Sequence, residues 1–197
     1  MNLEDIQELH YITHIGNVQS ICENGILSHK YAGKVSHISV ASPDVQERRA
    51  RKIIPGGKSL HDYVNLYFDA RNPMLYFLKD QHAELCILCI NPAVMELTGV
   101  IISDRNSSSE YARFSKYPEG LARLNAEVIF ARYWAHQDNP FLEMEHKSIK
   151  CAEVLVPDNI DPQFITGCYV SCDAALERFK MKNVSVSAIL KSFMFFR

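Results

Sequence analysis

The chain has 197 residues, 47% hydrophobic and 22% charged, with a formal net charge of −2. That length and composition suit one globular domain, residues 1–197, with a sizeable core, and they argue against disorder. So small a net charge excludes a protein that coats nucleic acid by bulk electrostatics, so any nucleic-acid contact has to be local.

The N-terminal run MNLEDIQELHYI carries acidic residues where a signal peptide is basic, and no apolar stretch approaches the ~20 residues of a membrane span. A cytosolic protein with no membrane contact is expected. Residues 11–15 alternate as a first strand, Asn17 is placed to cap a helix over 18–24, and Gly25 suits its stop. Residues 26–40 read as irregular and polar. Ser42 then caps, with Pro43 at the first position, a short helix dense in arginine that ends at Pro55-Gly56-Gly57. Projected at 100° per residue over 45–53, Arg49 falls on the apolar side between Val45 and Ile53. An inward guanidinium needs an anion, an internal carboxylate or a ligand phosphate. The local alternative is a solvated basic face formed by Arg48, Arg49, Arg51 and Lys52.

Residues 64–68 alternate as a half-buried strand; 74–78 follow Asn72-Pro73, a turn or helix start, and read as part of an aromatic strand. Residues 84–90 are apolar on both faces of a strand, which sends Cys86 and Cys89 of the LCILCI run to opposite sides. A zinc site needs thiolates converging in a tetrahedron, and no HExxH pair occurs, so no metal is implied. The six scattered cysteines suit a reducing compartment. Asn91-Pro92 opens a short helix closing at Gly99, 100–102 is a strand, and 103–120 reads as a polar surface loop or broken helix.

Residues 121–134 show helical spacing, and 135–150 show no dominant period. The latter deliver the chain into a strand over 151–156, with Cys151, Glu153 and Leu155 on one face and Ala152, Val154 and Val156 on the other. Glu153 interrupts an otherwise apolar strand; it is either a solvated rim carboxylate or a catalytic one. Strands over 164–170 and 184–189 flank a helix over 173–182 capped by Asp173. Many short strands mixed with short helices, without regular βαβ alternation, give an α+β class.

The blocks YITHIGNVQSICENGIL, VQERRARK with PGG and LHDYVNLYFDARNPMLY, SDRN with ARF and YWA, and CAEVLVP together resemble the DarT family of DNA ADP-ribosyltransferases, toxins of toxin–antitoxin pairs. The second block is the specific one. The resemblance implies an ADP-ribosyltransferase-like fold, a central split β-sheet core with short flanking helices. It implies cleavage of NAD⁺, the co-substrate, and transfer of ADP-ribose to a base of single-stranded DNA, commonly thymine. It also implies a macrodomain antitoxin of the DarG kind as partner.

Carried over residue by residue, the resemblance makes Arg49 and Glu153 the catalytic pair and places Tyr11, Thr13, Gly25, Leu27 and Arg49 around NAD⁺. The family's first strand usually reads Tyr-His-Ile-Thr-His; here it is His10-Tyr11-Ile12-Thr13-His14, so a tyrosine stands where histidine is expected. A phenol can donate and accept, so Tyr11 either takes over the contact to the ribose or the dinucleotide binds differently. Glu153 suits an oxocarbenium-like centre, because its hydrogen bond to the 2′-hydroxyl strengthens as charge develops. A thymine imide nitrogen must lose its proton, and an arginine is no ordinary base. Arg49 therefore clamps the diphosphate or stabilises the anionic base, with Glu153 the proton acceptor. A splayed base favours a groove with cationic and aromatic side chains. The candidates are Arg105, Arg113, His146 and Lys147, with Tyr111, Lys116 and Tyr117 beside them, whereas His14 and His82 read as structural.

Overall fold

The computed structural model describes residues 1–196. Strand β1 (Leu9–His14) leads through a 3₁₀ turn into α1 (Val18–Asn24), and the chain then turns at Gly25 into β2 (Ile26–Leu27). Gly25 has φ 81°, and a Cβ there would collide with the carbonyl oxygen of Ile160. Next come α2 (His29–Ala32), α3 (Pro43–Ala50), β3 (Tyr63–Tyr67), α4 (Pro73–Phe77), β4 (Leu85–Ile90), β5 (Ile101–Ser103) and β6 (Phe114–Lys116). Helices α5 (Glu119–Ala122), α6 (Ala126–Ile129) and α7 (Pro140–Lys150) precede β7 (Glu153–Pro157) and β8 (Asn159–Ile160). The chain closes with β9 (Ile165–Val170), α8 (Asp173–Lys180) and β10 (Ala188–Leu190).

Eight strands form one mixed sheet in the order β10-β9-β4-β1-β3-β7-β5-β6, antiparallel except for β9 with β10, while β2 and β8 pair apart. The α+β class therefore holds. The sheet is nearly divided at its middle. All six residues of β1 are in register with β4, and β3 is in register with β7 from Tyr63 to Tyr67, but β1 and β3 meet through the single pair His10 and Tyr67.

The large core covers one face, where Leu9, Val64, Leu66, Leu88, Ile90, Val154 and Val156 meet Val18, Ile21 and Phe179 of the helices. The opposite face carries two smaller clusters, one around Ile12, Tyr67, Leu75, Ile87, Cys151 and Phe195, the other around Ile54, Leu60, Tyr63 and Leu155. Among the described residues no helix is long and apolar enough to cross a membrane, and no group of three or more His, Cys, Asp or Glu is placed to hold a metal ion.

Several local expectations change. Helix α3 stops at Ala50, and Ile53 lies beyond it, 70% exposed in a bridge to Ser59, so the apolar face projected through Ile53 does not exist. Residues 73–77 form a helix rather than a strand, because Asn72 Oδ1 accepts from Leu75 N and Pro73 fills the first position. Asn139 and Pro140 start α7 in the same way inside the stretch without a period. Its apolar residues Phe141 and Met144 are exposed, so they follow a groove instead of the core and leave no core-facing rhythm in the sequence. Residues 121–134 split into α5, α6 and coil; Asp173 is the first residue of α8, not its cap. Asn17 caps nothing. Its side-chain amide bonds Thr13 Oγ1 and the Ile38 backbone instead. His14 and His82 serve locally, bonding Gly16 N and Ser171 Oγ.

Candidate active site

Glu153 opens β7 on the face where Cys151 belongs to one apolar cluster and Leu155 to the other. It thus occupies the gap between them. Its side chain is only 1% exposed, and that of Arg49, in the last turn of α3, 6%. The rim and basic-face alternatives are therefore excluded. Arg49 Nη1 donates to Glu153 Oε2 at 3.0 Å and to Ser107 Oγ at 2.6 Å. Ser107 Oγ donates in turn to Glu153 Oε2 at 2.8 Å, and Ser107 N donates to Oε1 at 3.1 Å. Three of the roughly four acceptor positions of the carboxylate are filled. The open one is on Oε1.

The polar segment 103–120 is thus partly internal: Ser103, Ser107 and Ser108 are buried. Nothing in the SSS run announced it. Behind the site, Lys150 is buried, its ammonium bonded to Asp69 Oδ2 at 2.7 Å and to the Ile129 carbonyl at 2.9 Å. That fixes the end of α7 just before Glu153. The stretch without a period that delivers the carboxylate is therefore largely a helix.

Two hollows share Arg49, Gln46, Asn65, Tyr67 and Met74. The smaller, about 110 Å³, lies where β1 and β3 diverge and is lined by Tyr11, Ile12, Thr13, Leu27 and Tyr63. An engineered cavity of about 150 Å³ takes a benzene ring, and this hollow is somewhat smaller than that. Tyr11, Thr13 and Leu27 are brought together here; Gly25 is not, and its part is the turn into β2. Asn17 holds residue 38 over the hollow. Burial pushes the Tyr11 hydroxyl up to about 12, so it stays protonated and can donate. Tyr67 is also pushed up, by burial first and by the charge of Glu153 second, and its hydroxyl faces Met74 Sδ at 3.1 Å. His29 and His61 stack with centroids 4.0 Å apart, and burial, assisted by neighbouring imidazoles and Arg49, lowers both.

The larger hollow is a groove of about 1420 Å³. Glu153 reaches it, with Arg48, Arg105, Arg113 and Lys147 along its walls and Phe77, Tyr111 and Phe141 as exposed aromatic surface. Arg105 bonds Asp104 and Lys147 bonds Glu143; among the described residues Arg48 and Arg113 make no ion pair. His146 departs from expectation. The 3.6-residue period turns Met144, Lys147 and Ser148 to the groove and His146 away from it, where Nδ1 meets His136 Nε2 at 2.7 Å. Lys116 and Tyr117 also lie off the groove lining.

The chain is similar to a Thermosipho africanus protein named as a DNA ADP-ribosyl transferase–DNA ADP-ribosyl glycohydrolase fusion, 34% identical over 84% of this chain and 42% of the fusion. It is also similar to a Thermus sp. DNA ADP-ribosyl transferase, 35% identical over 75% of this chain and 73% of that protein. The structure of Thermus sp. 2.9 DarT with ADP-ribosylated ssDNA superposes at a TM-score of 0.83, with 26% identity over 100% of this chain and 99% of the other. The same protein with NAD⁺ gives 0.77, with 26% identity over 98% of each chain. The family described as "DarT: ssDNA thymidine ADP-ribosyltransferase" matches residues 10–191. That span takes in the helix of Arg49, the loop of Ser107 and the strand of Glu153, and the chain belongs to the DarT family.

Proposed function

We propose that this protein cleaves NAD⁺ at the bond between nicotinamide and ribose and transfers ADP-ribose to a thymine base of single-stranded DNA. The observation that carries the reading is the buried Arg49–Ser107–Glu153 cluster, whose arginine lines both a small hollow and a cationic, aromatic groove and whose glutamate lines the groove. The small hollow suits the nicotinamide end, with Tyr11 as the donor in place of the family's histidine. The groove exceeds the ~300–1,000 Å³ of an ordinary ligand pocket and leaves room for an extended strand.

In the first step nicotinamide leaves as a neutral molecule with the electron pair of the C1′–N bond. The open position on Glu153 Oε1 takes the ribose 2′-hydroxyl and stabilises the oxocarbenium-like centre. In the second, the imide nitrogen of thymine attacks C1′, and its proton passes to Glu153 and then to solvent. Arg49, always charged, holds the diphosphate or the anionic base. Arg48, Arg105, Arg113 and Lys147 meet phosphates, and Phe77, Tyr111 and Phe141 offer faces on which splayed bases stack.

Residues 1–197 act as one ADP-ribosyltransferase domain in the cytosol, in keeping with six cysteines suited to a reducing compartment. Similarity to a fusion with a glycohydrolase supports a macrodomain antitoxin that removes the ADP-ribose.

The test is incubation with labelled NAD⁺ and separate pools of single-stranded DNA, RNA and protein, followed by mass spectrometry of the product. Label on thymine of DNA is expected, and Glu153→Ala should slow it by on the order of 10²-fold or more. Label in protein or RNA alone sinks the DNA reading; an equally fast Glu153→Ala sinks the mechanism.

A further inference from the structure

Glu153 has to hold one geometry while its charged partner is called elsewhere. Arg49 spends the same Nη1 on Glu153 and on Ser107. A guanidinium that turns this Nη1 to a diphosphate or an anionic base gives up its bond to Glu153. What remains on the carboxylate comes from Ser107 alone, Oγ to Oε2 at 2.8 Å and N to Oε1 at 3.1 Å. Those two bonds grip both oxygens and leave one lone pair on each for the substrate.

Ser107 is itself well anchored. It is 0% exposed, and its neighbours tie the loop down on both sides: Asn106 N donates to the Ser148 carbonyl at 2.8 Å, and the Lys52 ammonium bonds the Ser109 carbonyl. The loop that lines the groove through Asn106, Ser108 and Ser109 is therefore built as one unit with the carboxylate.

We propose that Ser107 is the positioning residue of the reaction, its hydroxyl and amide fixing Glu153 for catalysis after Arg49 turns to the substrate. The proposal rests on the reading of Glu153 as the group that acts on NAD⁺. It makes a demand that a merely structural serine does not make: the loss must fall on the rate of bond cleavage, with or without DNA, and not on binding. A hydrogen bond to a charged group is the stronger kind, so removing the hydroxyl alone lowers the rate about ten-fold or more.

The experiment measures kcat and KM for NAD⁺ and for a thymine-containing oligonucleotide in the parent protein and in Ser107→Ala, together with slow NAD⁺ hydrolysis in the absence of DNA. Thermal melts establish that each variant is folded at the assay temperature. Where Ser107→Ala does not fold, Ser107→Cys, close in size but a weak donor, replaces it with the same expectation. The expected result is a fall in kcat of about ten-fold or more, the same factor in the reaction with water, and KM values within about two-fold of the parent. A variant with the parent's kcat, or one whose defect is confined to KM for the oligonucleotide, overturns the role assigned to Ser107. A parent that modifies no DNA overturns the enzymatic reading itself, which is a different failure.

Discussion

A charge inside an apolar face is stable only through its partners, and that sets what each substitution at the site should do. Arg49→Ala leaves the Glu153 carboxylate buried with only Ser107 beside it, and the loss of one partner of a buried pair costs about 3–5 kcal/mol. The Arg51–Glu47 pair, which joins the last turn of the same helix to the residue just after it, is 76% and 65% exposed, so Arg51→Ala should change stability by less than about 1 kcal/mol. Urea denaturation of the two variants side by side checks the contrast; equal losses would mean that burial does not govern the pair. Glu8 offers a pH test. The hydrogen bond from His10, with help from the Tyr169 hydroxyl, outweighs burial and holds its carboxyl at about 2 instead of 4.5. A depressed carboxyl stabilises the fold fully above its ordinary value, and the contribution disappears as pH falls through the folded value. Glu8→Gln should therefore lower the denaturation midpoint at neutral pH and approach the parent as pH falls through about 2; a gap that is constant across that range defeats the assignment. Legibility at this scale was uneven. Arg49 does point inward, although the projection relied on Ile53, which is outside the helix, whereas Glu153 was legible for a sound reason, the strict two-residue alternation of its strand. Ser107 lay in a serine run with no period and no charge, and its part exists only through contacts across 46 residues of chain.

Elements were legible where their apolar side faces the core. Strands β4 and β7 announce themselves by their short apolar runs, but α4 and α7 do not announce themselves, because Phe77, Phe141 and Met144 turn outward to the groove. What does mark those helices is their first residue. Asn72 and Asn139 each stand before a proline and each accept a hydrogen bond from the amide three residues on, at 3.1 and 3.0 Å. The Asn-Pro pairs were thus readable as starts, and the missing periodicity obscured them. Because a lost cap costs about 0.5–2 kcal/mol, Asn139→Ala should loosen α7 by about that amount and leave the sheet intact. The wall that carries Phe141, Met144 and Lys147 should then lose order first, seen as a higher KM for DNA than in the parent with KM for NAD⁺ retained. An Asn139→Ala protein with unchanged stability and unchanged KM for DNA would show that tertiary packing, and not the cap, holds the helix.

At the scale of the molecule, the order of strands could not be derived from the chain. The longer strands were visible, though β2, β6 and β8 were not, but the neighbours of β1 come from residues 85–90 and 63–67, and nothing in a strand's own pattern names its partner. The consequence of that order is functional. Six residues of β1 pair with β4 and five of β3 with β7, so the sheet consists of two well-laced halves, and the one pair between His10 and Tyr67 joins them. The backbone groups that point into the rest of this seam lack a strand partner there, and the small hollow lined by Tyr11, Thr13, Tyr63 and Asn65 opens in the space left. A site at a seam can adjust its width without breaking either half. Amide exchange rates report this directly, since protection follows the local cost of opening. Amides paired within β1–β4 and β3–β7 should exchange slowly, and those of the same strands that face the seam beyond His10 and Tyr67 should exchange faster. NAD⁺ should slow the second set and leave the first nearly as it was, because ligand binding stabilises the closed seam by mass action. Uniform protection of both sets before the ligand is added would mean that the halves are one rigid sheet, and the hollow would then have to accept its ring without movement.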